Sequence, residues 1–152
     1  MNEELVSFLE KYDTENWLQS MPKYQQNMIA AMYTNLGDYE KVAQEWLCVT
    51  NKNTAPFGSS SPRMPQLEKI LDELEAFLRG DPKYQSEIRS LMADQNIVQY
   101  GIVSAISQAI ASTVGTASVF ISPIIGIFLF TAVKMGINAW LKAREEKRNH
   151  KT

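Results

Sequence analysis

Apolar residues recur at helical spacing along the first two thirds of the chain, and then charge disappears altogether. Leu5, Phe8 and Leu9 mark a short opening helix, with Trp17, Leu18 and Met21 in a turn-rich stretch behind it. Met28, Ile29, Met32 and Tyr33 share one side of the next helix, which Pro22 can open and Gly37 can close. Asp38 suits the cap of a following helix that carries Val42, Trp46 and Leu47. Residues 51–65, rich in Ser, Pro and Asn, read as a linker, with Phe57 able to pin it to the surface. Beyond it, Leu67, Ile70, Leu71, Leu74, Phe77 and Leu78 form the stripe of an amphipathic helix whose other side, Glu68, Lys69, Asp72, Glu73 and Glu75, reads as a solvated face. Gly80 ends that helix, and Asp81 and Pro82 open another bearing Ile88, Leu91 and Met92. No alternation of period two stands out, so the spacing predicts an all-α chain.

The uncharged run extends from Gln95 to Val133, with Lys134 alone before the basic residues that start at Lys142. A helix needs roughly 20 mostly apolar residues to cross a ~30 Å hydrocarbon core, so the run has room for two such helices. Because proline disfavours α geometry in the residue before it, the turn of a hairpin is expected near 122–123, at Ser122-Pro123. The second arm, Pro123 to Leu141, carries Ile124, Ile125, Ile127, Phe128, Leu129 and Phe130 and ends on Trp140, an interface-seeking residue, just before Lys142 and Arg144. Ile124, Ile125, Ile127, Phe128, Phe130 and Trp140 are the expected membrane anchors. On the first arm, Gly101, Ser104, Gln108, Ser112 and Gly115 fall on one face, and Ile106 and Ile110 lie elsewhere. Thr131, Lys134 and Asn138 make a comparable stripe on the second arm. Small and polar stripes are what helices use to meet one another in lipid, or to line a lumen.

The expected organisation is therefore a helical region over 1–50 containing an αα-hairpin, the linker at 51–65, amphipathic helices over 66–94, the apolar hairpin over 95–141 and a basic tail over 142–152. The head is read as about four to five helices. Charge follows this division. The overall net charge is -2, but residues 1–95 hold 15 acids and 9 bases whereas residues 96–152 hold 2 acids and 6 bases, so the two portions are expected to face different surroundings. The acidic opening lacks the basic and apolar regions of a signal peptide, and the acidic head argues against nucleic acid as a partner. One cysteine, Cys48, leaves no intrachain disulfide to form.

The turn from Leu36 through Gly37, Asp38, Tyr39, Glu40 and Lys41, with Ala30 and Tyr33 before it and Val42 and Trp46 after it, resembles one tetratricopeptide repeat over about thirty residues. With no tandem copy, the resemblance implies a packed αα-hairpin, with Tyr33, Tyr39 and Trp46 as its partner surface. Pro22-Lys23-Tyr24-Gln25 also recurs as Pro82-Lys83-Tyr84-Gln85, which would fit a duplicated helical unit. The plan of an amphipathic head joined to an apolar hairpin is similar to that of pore-forming colicins, an analogy of architecture.

Catalytic chemistry finds no foothold. The one histidine, His150, lies in the basic tail, Cys48 reads as a small core residue between Leu47 and Val49, and the glycine and serines after Ala55 lack the lysine and spacing of a phosphate loop. The expectation is a non-enzyme without metal or cofactor: a small membrane-inserting helical protein whose hairpin self-associates in the bilayer, as a pore-forming or membrane-disrupting effector of toxin or defence type. Its partners would be lipid, sister copies and a protein on the head. Its place would be an inner or plasma membrane with both termini cytoplasmic, or the cytoplasm before insertion. The alternative is a helical adaptor that is merely anchored by the apolar hairpin or buries it.

Overall fold

A computed structural model describes the backbone of residues 3–54, 63–94 and 96–150, and their side chains apart from those of 49–54, 63–66 and 150. Phe57 and most of the expected linker lie outside the described residues. Every regular element is helical: α1 (Glu3–Glu10), α2 (Lys23–Leu36), α3 (Tyr39–Thr54), α4 (Arg63–Arg79), α5 (Gln85–Ala93), α6 (Gln99–Val114), α7 (Ser118–Met135) and α8 (Ile137–His150). Two 3-10 turns, Thr14–Trp17 and Pro82–Tyr84, precede α2 and α5. No strand occurs among the described residues. The all-α class is as read, but the eight α-helices among the described residues exceed a four- to five-helix head plus a two-helix hairpin.

The head's local signals act where the sequence puts them, with small shifts. Gly37 closes α2, its N–H bonded to Tyr33 O at 2.8 Å, and the Asp38 carboxylate accepts the Glu40 N–H at 2.8 Å to start α3. Pro22 stands one place before α2, as its N-cap. Asp81 caps the 3-10 turn that leads into α5, accepting from Lys83 N at 3.0 Å. The repeated tetrapeptide does not repeat in environment: Tyr24 is exposed and Gln25 buried, whereas Tyr84 is buried and Gln85 exposed.

The apolar run folds differently from a hairpin turning at Ser122-Pro123. The chain reverses at residues 115–117, where the Gly115 and Thr116 N–H groups both bond to Ala111 O, at 2.9 and 3.1 Å. Pro123 lies inside α7. A proline within a helix supplies no N–H to the carbonyl four residues back, here Val119, and crowds the ladder around it. Two side chains of the head offset this defect. Gln25 Nε2 of α2 donates to Val119 O at 3.3 Å, and Trp46 Nε1 of α3 donates to Phe120 O at 2.7 Å. The carbonyl that Pro123 leaves without an N–H, Val119 O, is thus satisfied from α2, and the bond from Trp46 holds the next turn.

The second arm is also shorter than read. It stops at Met135, and Gly136, with φ +94 in the region that favours glycine, separates α7 from α8. Trp140 and Asn138 therefore belong to α8, and Thr131, Lys134 and Asn138 are not one helical stripe. The basic stretch is not a free tail either, being helical through His150.

Packing places α7 in the middle. It contacts α2, α3, α6, α8 and the turn at Thr14–Trp17, and its interior segment from Pro123 to Phe130 is buried throughout. Gly126 permits the closest of these approaches, because a Cβ there would stand 3.1 Å from Trp17 O and 3.0 Å from Met21 Cε. A helix apolar on all sides is stable in this setting because amphipathic helices cover it. The α6 face bearing Ile102, Ile106 and Ile110 turns inward to join the same core.

Trp46→Phe removes the donor to Phe120 O without emptying much of the core. We expect it to lower the unfolding free energy by about 0.5–1.5 kcal/mol, the net worth of one hydrogen bond, as measured by urea denaturation. Retention of wild-type stability would show that the bond does not support α7.

Candidate functional site

The charges of α4 and α8 meet each other and do not face separate surroundings. Glu75 is 4% exposed, and its carboxylate accepts from Arg79 Nε at 3.0 Å, from Arg144 Nε at 3.2 Å and from Arg148 Nη1. Arg144, 7% exposed, also reaches Asp72 Oδ1 at 2.7 Å and Glu68 Oε2 at 3.6 Å. Lys147 lies 3.9 Å from both Glu40 and Glu68, and Arg79 Nη2 donates to Leu141 O at 3.0 Å. The face of α4 read as solvated is therefore the dock for the stretch read as a basic tail. Helical spacing alone did not show which neighbour would supply counter-charge, although the opposed charge balances of the two portions were a signal for it.

At its start, α8 is held by α1: Glu10 Oε2 accepts the Ile137 N–H at 2.8 Å, and a carboxylate at a helix N-terminus is favoured by the dipole as well. Between these fixings, Ile137, Trp140 and Leu141 are buried against the core. Burial on its own would raise the Glu75 pKa, but hydrogen bonds from Arg148, Arg79 and Arg144 outweigh it and hold the carboxyl below its ordinary value.

This docking builds one wall of the largest cleft among those described, about 750 Å³ in volume. The opposite wall is the α2–α3 corner, with Tyr33, Gly37, Asp38, Tyr39 and Glu40. Phe128, Phe130, Thr131 and Lys134 of α7, Leu71 of α4, and Met135, Trp140, Arg144 and Lys147 complete the lining. The rings are ordered. Tyr33 and Tyr39 stack at 4.2 Å, Tyr39 meets Phe130 edge-on at 5.5 Å, and the Lys134 ammonium lies 5.3 Å from the Phe130 centroid. Burial, then Tyr33 and Glu15, push the Tyr39 hydroxyl pKa up, so it remains a neutral donor at ordinary pH.

Three groups of residues that the sequence suggested for different roles thus converge on one cleft. Tyr33 and Tyr39, read as partner surface, face Phe128, Phe130 and Trp140, read as membrane anchors, and Thr131 and Lys134, read as pore or helix interface. Trp46 does not join them. It is buried with its indole N–H committed to Phe120 O, so it is not a partner surface. Ile124, Ile125 and Ile127 are fully buried inside the protein.

The α6 stripe lies elsewhere. Ser104 is half-buried, Gly101 likewise, and Gln108, Ser112 and Gly115 are exposed, with Gln108 Nε2 at 3.4 Å from Ser104 Oγ. Gln108 and Ser112 line a second cleft of about 530 Å³ between α5 and α6, so the two polar stripes are not brought together. Beside that cleft the Tyr84 hydroxyl donates to Glu73 Oε1 at 2.6 Å and lies 3.1 Å from Thr113 Oγ1, while Lys83 Nζ pairs with Glu73 at 2.8 Å. Burial and the Glu73 carboxylate raise the Tyr84 pKa far above the ordinary phenol value, as suits a fixed structural donor.

Cys48 is buried, and among the described residues no cluster of His, Cys, Asp and Glu could hold a metal. No protein-family model matches the chain, and neither a curated protein nor a solved structure matches it significantly.

Glu75→Gln leaves three guanidinium groups facing an amide. We expect a loss of about 3 kcal/mol in urea denaturation, as for other broken buried ion pairs. The pH dependence has a definite sign. A carboxyl whose folded pKa lies below its unfolded value of about 4.3 contributes stability in full above that value, and the contribution fades as pH falls through the lower folded value. Wild-type stability should fall as pH drops below about 4.3, more steeply than in Glu75→Gln. Equal slopes for the two proteins would remove Glu75 from the account.

Proposed function

We propose that the chain is a membrane-inserting helical protein in its closed form, with α6 and α7 as the hairpin that enters the bilayer and self-associates there. The observation that carries this reading is α7 itself. It is an 18-residue helix of mean hydropathy 1.9 with Lys134 as its one charge, and 56% of its residues are buried inside the structure. Length and composition fit a span, and a core helix of a soluble bundle has the same properties. What favours insertion over mere burial is the manner of covering. The helices over α7 are amphipathic, and α8 is held along α4 by ion pairs, which an anionic surface or salt can contest. In this reading Gly101, Ser104, Gln108, Ser112 and Gly115 of α6 meet Thr131 and Lys134 of neighbouring copies only after the hairpin leaves the bundle. Pore formation or membrane disruption, in a toxin or defence setting, follows from that assembly.

A second reading has its own observation, the ordered aromatic cleft at Tyr33, Tyr39 and Phe130. Here α7 stays in the core, and the chain is an interaction module that binds a partner at the α2–α3 corner.

Dye release from anionic vesicles separates the two. The full chain should release dye, and a Gln108→Leu, Lys134→Leu double variant should abolish release. Both positions are exposed, so stability should stay within about 0.5 kcal/mol of wild type. Unchanged release in the double variant would end the pore reading, and a chain that neither pellets with vesicles nor releases dye would leave the interaction module.

A further inference from the structure

We infer that the cleft between the α2–α3 corner and α7–α8 is a binding site for a free single-chain amphiphile with an anionic head, of the fatty-acid class. The floor supplies the apolar half of this match. Phe128, Phe130 and Trp140 are mostly buried in the core but open to the cleft along one side, and Leu71 closes its depth. Met135, 51% exposed, and Tyr33, 39% exposed, carry the apolar lining out to the surface. The volume of about 750 Å³ falls within the usual range for small-molecule pockets, which have apolar linings and few polar groups.

The polar half is specified by charge. Arg144 and Lys147 on this lining are paired with α4 carboxylates, whereas no carboxylate lies within 4.0 Å of Lys134 Nζ among the described residues. Its ammonium rests over the face of Phe130 at the edge of the apolar floor. A chain lying on Phe130 and Phe128 would bring a carboxylate at its end within reach of that ammonium. On the opposite wall, beside Tyr33 and Tyr39, the carboxylates of Asp38 and Glu40 already have partners: Asp38 accepts the Glu40 N–H, and Glu40 lies 3.9 Å from Lys147. A neutral chain would gain the floor but leave Lys134 unanswered, and a cationic head at the Lys134 end of the floor would be repelled by it. The site is independent of membrane insertion, because it exists in the closed form.

The test is calorimetric titration of the full-length protein with laurate below its micelle concentration, without vesicles, alongside dodecanol and dodecylammonium. Saturable binding of one laurate per chain is expected. Lys134→Met should weaken laurate about tenfold or more, the scale of one charge-assisted bond, and leave dodecanol unchanged. Lys142→Met, on the exposed side of α8 and outside the cleft, should match wild type. Phe130→Ala should weaken laurate and dodecanol alike, with circular dichroism confirming that the variant is folded. Phe130→Leu supplies the same test of the floor if the alanine variant unfolds, and should weaken both ligands less. Absence of saturable laurate binding, or equal losses in Lys134→Met and Lys142→Met, would overturn the assignment. Vesicle release bears on membrane insertion alone, so the two ideas can fail separately.

Discussion

Covering α7 is the constraint on which the rest of the structure depends. The helix carries no charge until Lys134 and offers apolar side chains in every direction, so no single partner can shield it. The chain wraps it from several sides: α6 folds back along it, α2 and α3 close its N-terminal part, the turn at Thr14–Trp17 presses onto Gly126, and α8 returns over it after Gly136. Each covering element keeps a polar side for water. The fold is thus one core built around one helix, and the division into a head and an appended hairpin disappears in packing.

The covering is fastened by two different kinds of bond. Toward the N-terminal end of α7, neutral donors from Gln25 and Trp46 meet backbone carbonyls. On the α8 side, the fastening is ionic and centres on Glu75, where three guanidinium groups share one nearly buried carboxylate. Bonds of the first kind are insensitive to salt, whereas exposed members of the second, such as Lys147 with Glu40, are screened by it. The two sides of α7 therefore respond to different changes in solution. The same ionic docking sets the α8 wall of the aromatic cleft, through Arg144 and Lys147 above all.

Local chemistry was well legible in the sequence. The stripe from Leu67 to Leu78 and the Gly37-Asp38 turn both follow from helical spacing and capping, which depend on near neighbours. What spacing could not convey was which distant residues would supply the missing partner. Ser122-Pro123 marks a turn when only local geometry counts, and it is a helix interior here, where side chains 74 and 94 positions from Phe120 and Val119 reach the carbonyls of those two residues. Glu75 reads as solvent-facing until arginines from 69 and 73 residues further along are placed beside it. The cleft was legible only in fragments. Its tyrosines, its phenylalanines and its lysine were each singled out, but under separate roles, since their convergence is a property of tertiary packing.

The proline within α7 has a consequence for any environment this helix enters. A regular helix satisfies its own interior carbonyls and can be transferred between surroundings as a self-sufficient rod. With Val119 O, the carbonyl facing Pro123, served by Gln25, α7 is not such a rod. Moving it into hydrocarbon alone would strand that acceptor where nothing solvates it. The helix therefore carries a standing demand for donors from another segment, so its destination must always be a place with company.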